Sequence, residues 1–249
     1  MTYGLGRQLD CRQGNERSRG VGRGSHKYVA LSWLEGWVTP IEQPTHHTLL
    51  LPILVEQLES ILQAAEDALR LEQAVHGLDV LNEVALQALL ADGLAQHHRV
   101  TRESYYPSVE GKRSHRARCD LVLTPRGLPL ETREEPLLRG CPPEEAFWLE
   151  LKVAHQLRPS GRSHPRYGPQ WRKAIVADAN KLRTDPRIVR AALGLVVFND
   201  GAATLEKDLA LFEALLGEAG PFGFRSVRSV AISDRIGHAL CSVALWPVL

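Results

Sequence analysis

The chain has 249 residues, 30 Lys+Arg against 29 Asp+Glu, and a formal net charge of +1. That balance excludes a uniformly basic, histone-like binder and a charge-dominated disordered chain, while a hydrophobic content of 44% can supply a real core. The longest apolar run, Leu49 to Val55 with Pro52 inside it, is far shorter than the ~20 residues of a membrane helix.

Residues 1–48 read as a basic arm and linker. Arg7, Arg12, Arg17, Arg19, Arg23 and Lys27 stand against only Asp10 and Glu16 among closely spaced glycines, a composition with little to bury. It predicts a flexible tail that touches nucleic-acid backbone, or a linker without a role. The apolar stretch of a secretory signal is missing from these residues. Cys11, Cys119, Cys141 and Cys241 are scattered without a Cys-x-x-Cys pair, so free thiols in a reducing cytoplasm are expected. Arg outnumbers Lys 24 to 6, a bias that genome composition can produce without phosphate binding. His46 and His47, near Pro44, read as surface loop.

From residue 49 onward one folded domain is expected. Ile53, Leu54, Leu58, Ile61, Leu62, Ala65, Leu69 and Leu71 recur at three- and four-residue steps, predicting an amphipathic helix that runs to about His76 and breaks at Gly77. Asp79 is placed to cap a second helix with Leu81, Val84, Ala85, Ala88, Leu89 and Leu94 as its buried stripe; Glu83 lies beside that stripe. Strands are expected at 99–106, 117–123 and 146–154, with an exposed Pro- and Glu-rich loop over 124–145. A helix over 170–183, a strand over 192–198, a helix over 205–217 and strands near 225–232 and 239–246 complete an α/β pattern around one mixed sheet.

The chemistry concentrates in Trp148-Leu149-Glu150-Leu151-Lys152. Alternation along a strand sends Leu149, Leu151 and Val153 to one face and places Glu150 and Lys152 together on the other. Charges on an otherwise apolar strand are costly unless paired or bound to a metal. A Glu-Lys ion pair on the solvated face of an edge strand would also satisfy them. In Arg118-Cys119-Asp120-Leu121-Val122-Leu123, however, a single acid again interrupts an apolar run. If these strands are neighbours, Asp120 and Glu150 converge on one hard cation with Lys152 beside it, the equipment Mg²⁺ needs to meet a phosphate.

Asp120, then Glu150-x-Lys152, each in a short hydrophobic strand, with a helix bearing Glu83 before them and a helix after, resembles the PD-(D/E)xK nuclease superfamily. The likeness covers about residues 78–199 in this numbering and implies the restriction-endonuclease-like fold. Cys119 stands where the pattern has Pro. Carried over, the resemblance implies Mg²⁺, with Mn²⁺ able to substitute, on Asp120, Glu150 and the Leu151 carbonyl. Lys152 would orient or help deprotonate the attacking water and stabilise charge on the phosphate. A helical acid often completes such sites; Glu83 is the candidate and Glu103 its competitor. Gln170 is followed four residues later by Ala174 and not Tyr, so the signature of the RecB-like exonuclease branch is not met.

The implied activity is hydrolysis of phosphodiesters, in DNA before RNA and as an endonuclease, leaving a 5′ phosphate. A role in restriction, phage defence, recombination or transposition would suit it. Two basic loops flank the expected site, one with Arg113 and Arg116, the other with Arg162, Arg166, Tyr167, Trp171, Arg172 and Lys173, followed by Lys181; they suit phosphate contact and base stacking, or are simply solvated. Asp178 and Lys181, one turn apart, can pair with each other. A homodimer or partner protein, and no membrane, complete the expectation. The alternative is a nuclease-like fold that binds nucleic acid or a partner without turnover. The near-zero net charge then averages a basic side against acidic segments over 56–83 and 131–145.

Overall fold

The computed structural model describes residues 46–108, 117–132, 139–233 and 235–249. Of the arm and linker expected over 1–48, residues 1–45 lie outside the described residues, and the elements belong to one unit spanning Glu42–Leu249. In chain order they are α1 (His46–Leu71), a 3₁₀ turn (Leu78–Val80), α2 (Glu83–Leu94), β1 (Arg99–Tyr105), β2 (Arg118–Thr124), β3 (Phe147–His155), α3 (Tyr167–Thr184), β4 (Arg190–Asn199), α4 (Ala202–Ala219), β5 (Ser226–Ala231) and β6 (Leu240–Pro247).

The strands form one mixed sheet in the order β1-β2-β3-β4-β6-β5. β1, β2 and β3 are antiparallel neighbours, α3 crosses over to bring β4 parallel to β3, and β6 and β5 close the sheet antiparallel. Leucines of α1 and α2 bury one face together with Leu121, Leu149, Leu151 and Val153. On the other face α3 and α4 pack Ile175, Ala179, Leu209 and Phe212 over Ala154, Leu195 and Trp246. β3 is therefore an interior strand covered on both sides, not an edge. Among the described residues no helix is long and apolar enough to cross a membrane.

Several boundaries differ from expectation for local reasons. α1 starts at His46, with Pro52 inside it, so His46 and His47 belong to a helix and not to a loop. It ends before Gly77 because Gln73 takes φ 52°, which lets Gln73 N–H reach the Arg70 carbonyl at 3.1 Å and Ala74 N–H reach the Leu69 carbonyl at 2.9 Å. This is a Schellman closure with glutamine in glycine's usual place. Asn82, not Asp79, caps α2, its side-chain oxygen accepting the Ala85 N–H at 2.9 Å. The buried stripe of α2 is Leu86, Gln87, Leu90, Ala91 and Leu94, and Val84 is 64% exposed. The loop after β2 is anchored, since Leu130 and Cys141 form a bridge and are both buried. Cys119, Cys141 and Cys241 are free and buried.

Candidate active site

β2 and β3 pair only from Leu123↔Phe147 to Leu121↔Leu149, although β2 reaches back to Arg118 and β3 on to His155. The strands part at Asp120 and Glu150, leaving the β3 backbone beyond that point facing a gap. Backbone donors in such a gap need acceptors. Asp120 Oδ2 takes the Leu151 N–H at 2.7 Å, and the Glu83 carboxylate takes the Val153 N–H. Glu83 reaches the fork because it lies one turn before Leu86 and Gln87 on the buried face of α2.

Glu150 is only 2% exposed. Tyr106, just past β1, donates its hydroxyl to Glu150 Oε1 at 2.5 Å and stacks on Trp148 with ring centroids 6.2 Å apart. Burial first, and then the neighbouring Asp120 carboxylate, push the Glu150 pKa up to about 8. Burial also raises the Tyr106 phenol, which keeps it a donor. Glu83 is raised as well, by burial, with Lys152 opposing and Asp120 adding to the shift.

Burial alone would lower Lys152, but Asp178 more than offsets it and the ammonium is held charged, with Asp120 and Glu83 contributing. Lys152 Nζ lies 2.9 Å from Asp178 Oδ2 and 3.4 Å from the Leu151 carbonyl. Asp178 Oδ1 binds Lys181 Nζ at 2.5 Å. Asp178 is 6% exposed, so the expected pairing with Lys181 exists but is not a solvated one. On α3 it shares the face of Ile175, Ala179 and Leu182, which turns it toward β3.

Asp120, Glu150, Leu151 and Lys152 are thus brought together, and Glu83 lies at the same fork. Among the described residues no group of three or more His, Cys, Asp or Glu side chains that could hold a metal ion is found. Glu103 is exposed at φ 53°, between the pairs Arg102↔Leu121 and Ser104↔Cys119 that bracket Asp120. The donor set fits Mg²⁺ in its sparse mode, in which one or two carboxylates leave several positions to water and phosphate. The repulsion from Asp120, which adds to burial in lifting Glu150, is what a cation would relieve.

Of the expected nucleic-acid contacts, Arg162 and Arg166 are exposed in the loop before α3, and Lys181 is 41% exposed at its side chain while bound to Asp178. Arg113, Arg116 and the side chains of Trp171, Arg172 and Lys173 lie outside the described residues. Tyr167 donates its hydroxyl to Asp208 and is partly buried against the cluster formed by α3 and α4. Tyr106, and Asp178 as the partner of Lys152, escaped the sequence reading. The second was signalled by an acid inside the apolar stripe of α3; the first had no signal beyond an aromatic at a strand end. In comparisons with known proteins, no family model, no curated protein and no solved structure matches the chain.

Proposed function

We propose that the fork between β2 and β3 is the active site of a Mg²⁺-dependent nuclease that hydrolyses phosphodiesters in DNA. The observation that carries this reading is Asp120 and Glu150 side by side where two strands part, with the Lys152 ammonium on the same strand. The order helix, three antiparallel strands, crossover helix and parallel strand supports the PD-(D/E)xK resemblance and, with it, the restriction-endonuclease-like assignment.

Asp120, Glu150 and the Leu151 carbonyl would hold the cation, which when bound supplies charge for the phosphate and a more acidic water. Asp178 aims Lys152 and fixes its charge, so that the ammonium can orient a water and stabilise negative charge developing on a phosphate oxygen. Tyr106 holds the Glu150 carboxylate in one rotamer. Lys181, anchored by the same Asp178, offers a second cation for the phosphate backbone. The Lys152–Asp178 ion pair also favours a second reading, a nucleic-acid-binding fold without turnover, because it already occupies the ammonium.

Incubating supercoiled, linear and single-stranded DNA, and RNA, with the protein and Mg²⁺, Mn²⁺ or EDTA separates the two. Cation-dependent cutting of DNA that is lost in Asp120→Asn and Lys152→Ala is the expected result. Failure to cut any of the four, or variants as active as wild type, would sink the enzymatic reading.

A further inference from the structure

Each prong of the fork carries an acid and, two residues nearer its open end, a base. On β3 these are Glu150 and Lys152; on β2, which runs the other way, they are Asp120 and Arg118. The chemistry above uses three of the four. The pairing from Leu123↔Phe147 to Leu121↔Leu149, continued past its end, would set Asp120 against Glu150 and Arg118 against Lys152. The strands part before that register is realised, so a cation marks the open end of each prong.

Arg118 is exposed and Asp120 half-buried, while Cys119 between them and Leu121 beyond are buried. Alternation therefore puts the guanidinium and the carboxylate on one side of β2, about 6 to 7 Å apart along the strand. That step is close to the interval between neighbouring phosphates of a nucleic-acid strand. Across the β1–β2 pair Arg118 faces Tyr105. Its Cζ lies 4.8 Å from the centroid of the Tyr105 ring, and Nη2 donates to the Tyr105 hydroxyl at 2.9 Å. Stacking and a hydrogen bond together hold a side chain that would otherwise lose rotamer freedom on meeting a ligand. Arg187, Arg225 and Arg228 each fold onto glutamates. Arg118 has no carboxylate partner among the described residues; a ring and a hydroxyl orient it and leave its charge uncompensated. A guanidinium held in this way presents the planar set of donors that matches a phosphate.

We propose that Arg118, held by Tyr105, is a phosphate subsite on the β2 prong, and that it takes the phosphodiester next to the one in the fork. The inference rests on the nucleic-acid reading of that fork. In the sheet order β1-β2-β3 Arg118 approaches from the β1 side, whereas Lys152 and Lys181 approach from the side of β3 and α3. The backbone of one strand is thereby gripped on both sides of the carboxylate pair, which sets its register without reading its sequence.

The salt dependence of binding tests this. Fluorescence anisotropy of a labelled DNA duplex of mixed sequence is measured in EDTA, so that nothing is cut, over a series of salt concentrations. Each phosphate contact contributes about 0.9 to the slope of log K against log salt. Arg118→Ala should lower the slope by about that amount and weaken binding about fivefold near physiological salt. Arg118→Lys keeps the charge but not the planar fork, and should keep the slope while losing part of the affinity. Tyr105→Phe keeps the ring, removes the hydroxyl and should weaken binding about threefold at the wild-type slope. Arg225→Ala, beside the far edge strand β5, controls for net charge and should leave the slope as it is. An unchanged slope in Arg118→Ala, a fall of the same size in Arg225→Ala or Arg118→Lys, wild-type affinity in Tyr105→Phe, or a wild type that does not bind the duplex would each overturn the proposal. Because the measurement needs no metal, a slope that falls as expected without any cleavage keeps the subsite and removes the nuclease, whereas cleavage with an unchanged slope does the reverse.

Discussion

Glu150→Gln is expected to abolish cleavage while making the metal-free protein more stable. In the fold Glu150 is buried against Asp120, and its pKa rises from 4.5 to about 8. A raised carboxylate pKa means that the fold prefers the protonated acid. The stability contributed by this group is complete below about pH 4.5 and is lost as pH rises through about 8. A pKa displaced by one corresponds to about 1.4 kcal/mol, so above that range the ionised group costs on the order of 3 to 5 kcal/mol. Glutamine has the same shape and no charge: its oxygen can still accept from Tyr106, and its NH₂ can donate to Asp120. For a chain of this size each kcal/mol moves the midpoint by about 2–4 °C, so at about pH 9 in EDTA the variant should melt about 10 °C above wild type. Circular dichroism melts from about pH 5 to about pH 9 read both curves, and the gap should narrow toward the acid end. Adding Mg²⁺ at alkaline pH should raise the wild-type midpoint and leave the variant where it was. A variant whose midpoint falls with pH in parallel with wild type, or lies below it at about pH 9, would refute the burial argument.

Asp178→Asn leaves Lys152 without its carboxylate at 2.9 Å; loss of about 3 kcal/mol in urea unfolding is expected, with single-turnover cleavage at least about tenfold slower. Gly194→Ala would put a Cβ 2.6 Å from Leu151 Cδ2 and 3.1 Å from Leu245 Cδ2. Both leucines are fully packed, so about 1–3 kcal/mol of destabilisation should appear in denaturant titration. Burial lowers the pKa of His155 from 6.5 to about 4, so its contribution to stability is present above about pH 6.5 and is lost as pH falls through about 4. Thermal melts of His155→Phe should show a flatter acid limb than wild type.

Much of this arrangement could be read without coordinates. Period-two alternation placed Glu150 and Lys152 on one face of β3 and the leucines on the other, because successive strand side chains must oppose each other. The acid inside Cys119-Asp120-Leu121 stood out since an isolated charge in an apolar strand demands a partner. The buried face of α2 was not legible, as apolar residues surround most of that helix and periodicity cannot choose among them. α1 ends short of its periodic pattern because Gln73 adopts the left-handed turn that glycine usually takes.

What the chain determined alone is the set of strands and helices and the side of β3 from which its charges project, since these follow from steric rules acting over a few residues. The tertiary structure alone decided which groups meet. The parting of β2 from β3, Tyr106 on Glu150, Asp178 on Lys152 and the Asp79–His238 pair all join residues far apart in sequence. Such contacts depend on register and helix placement, and local periodicity carries no information about either.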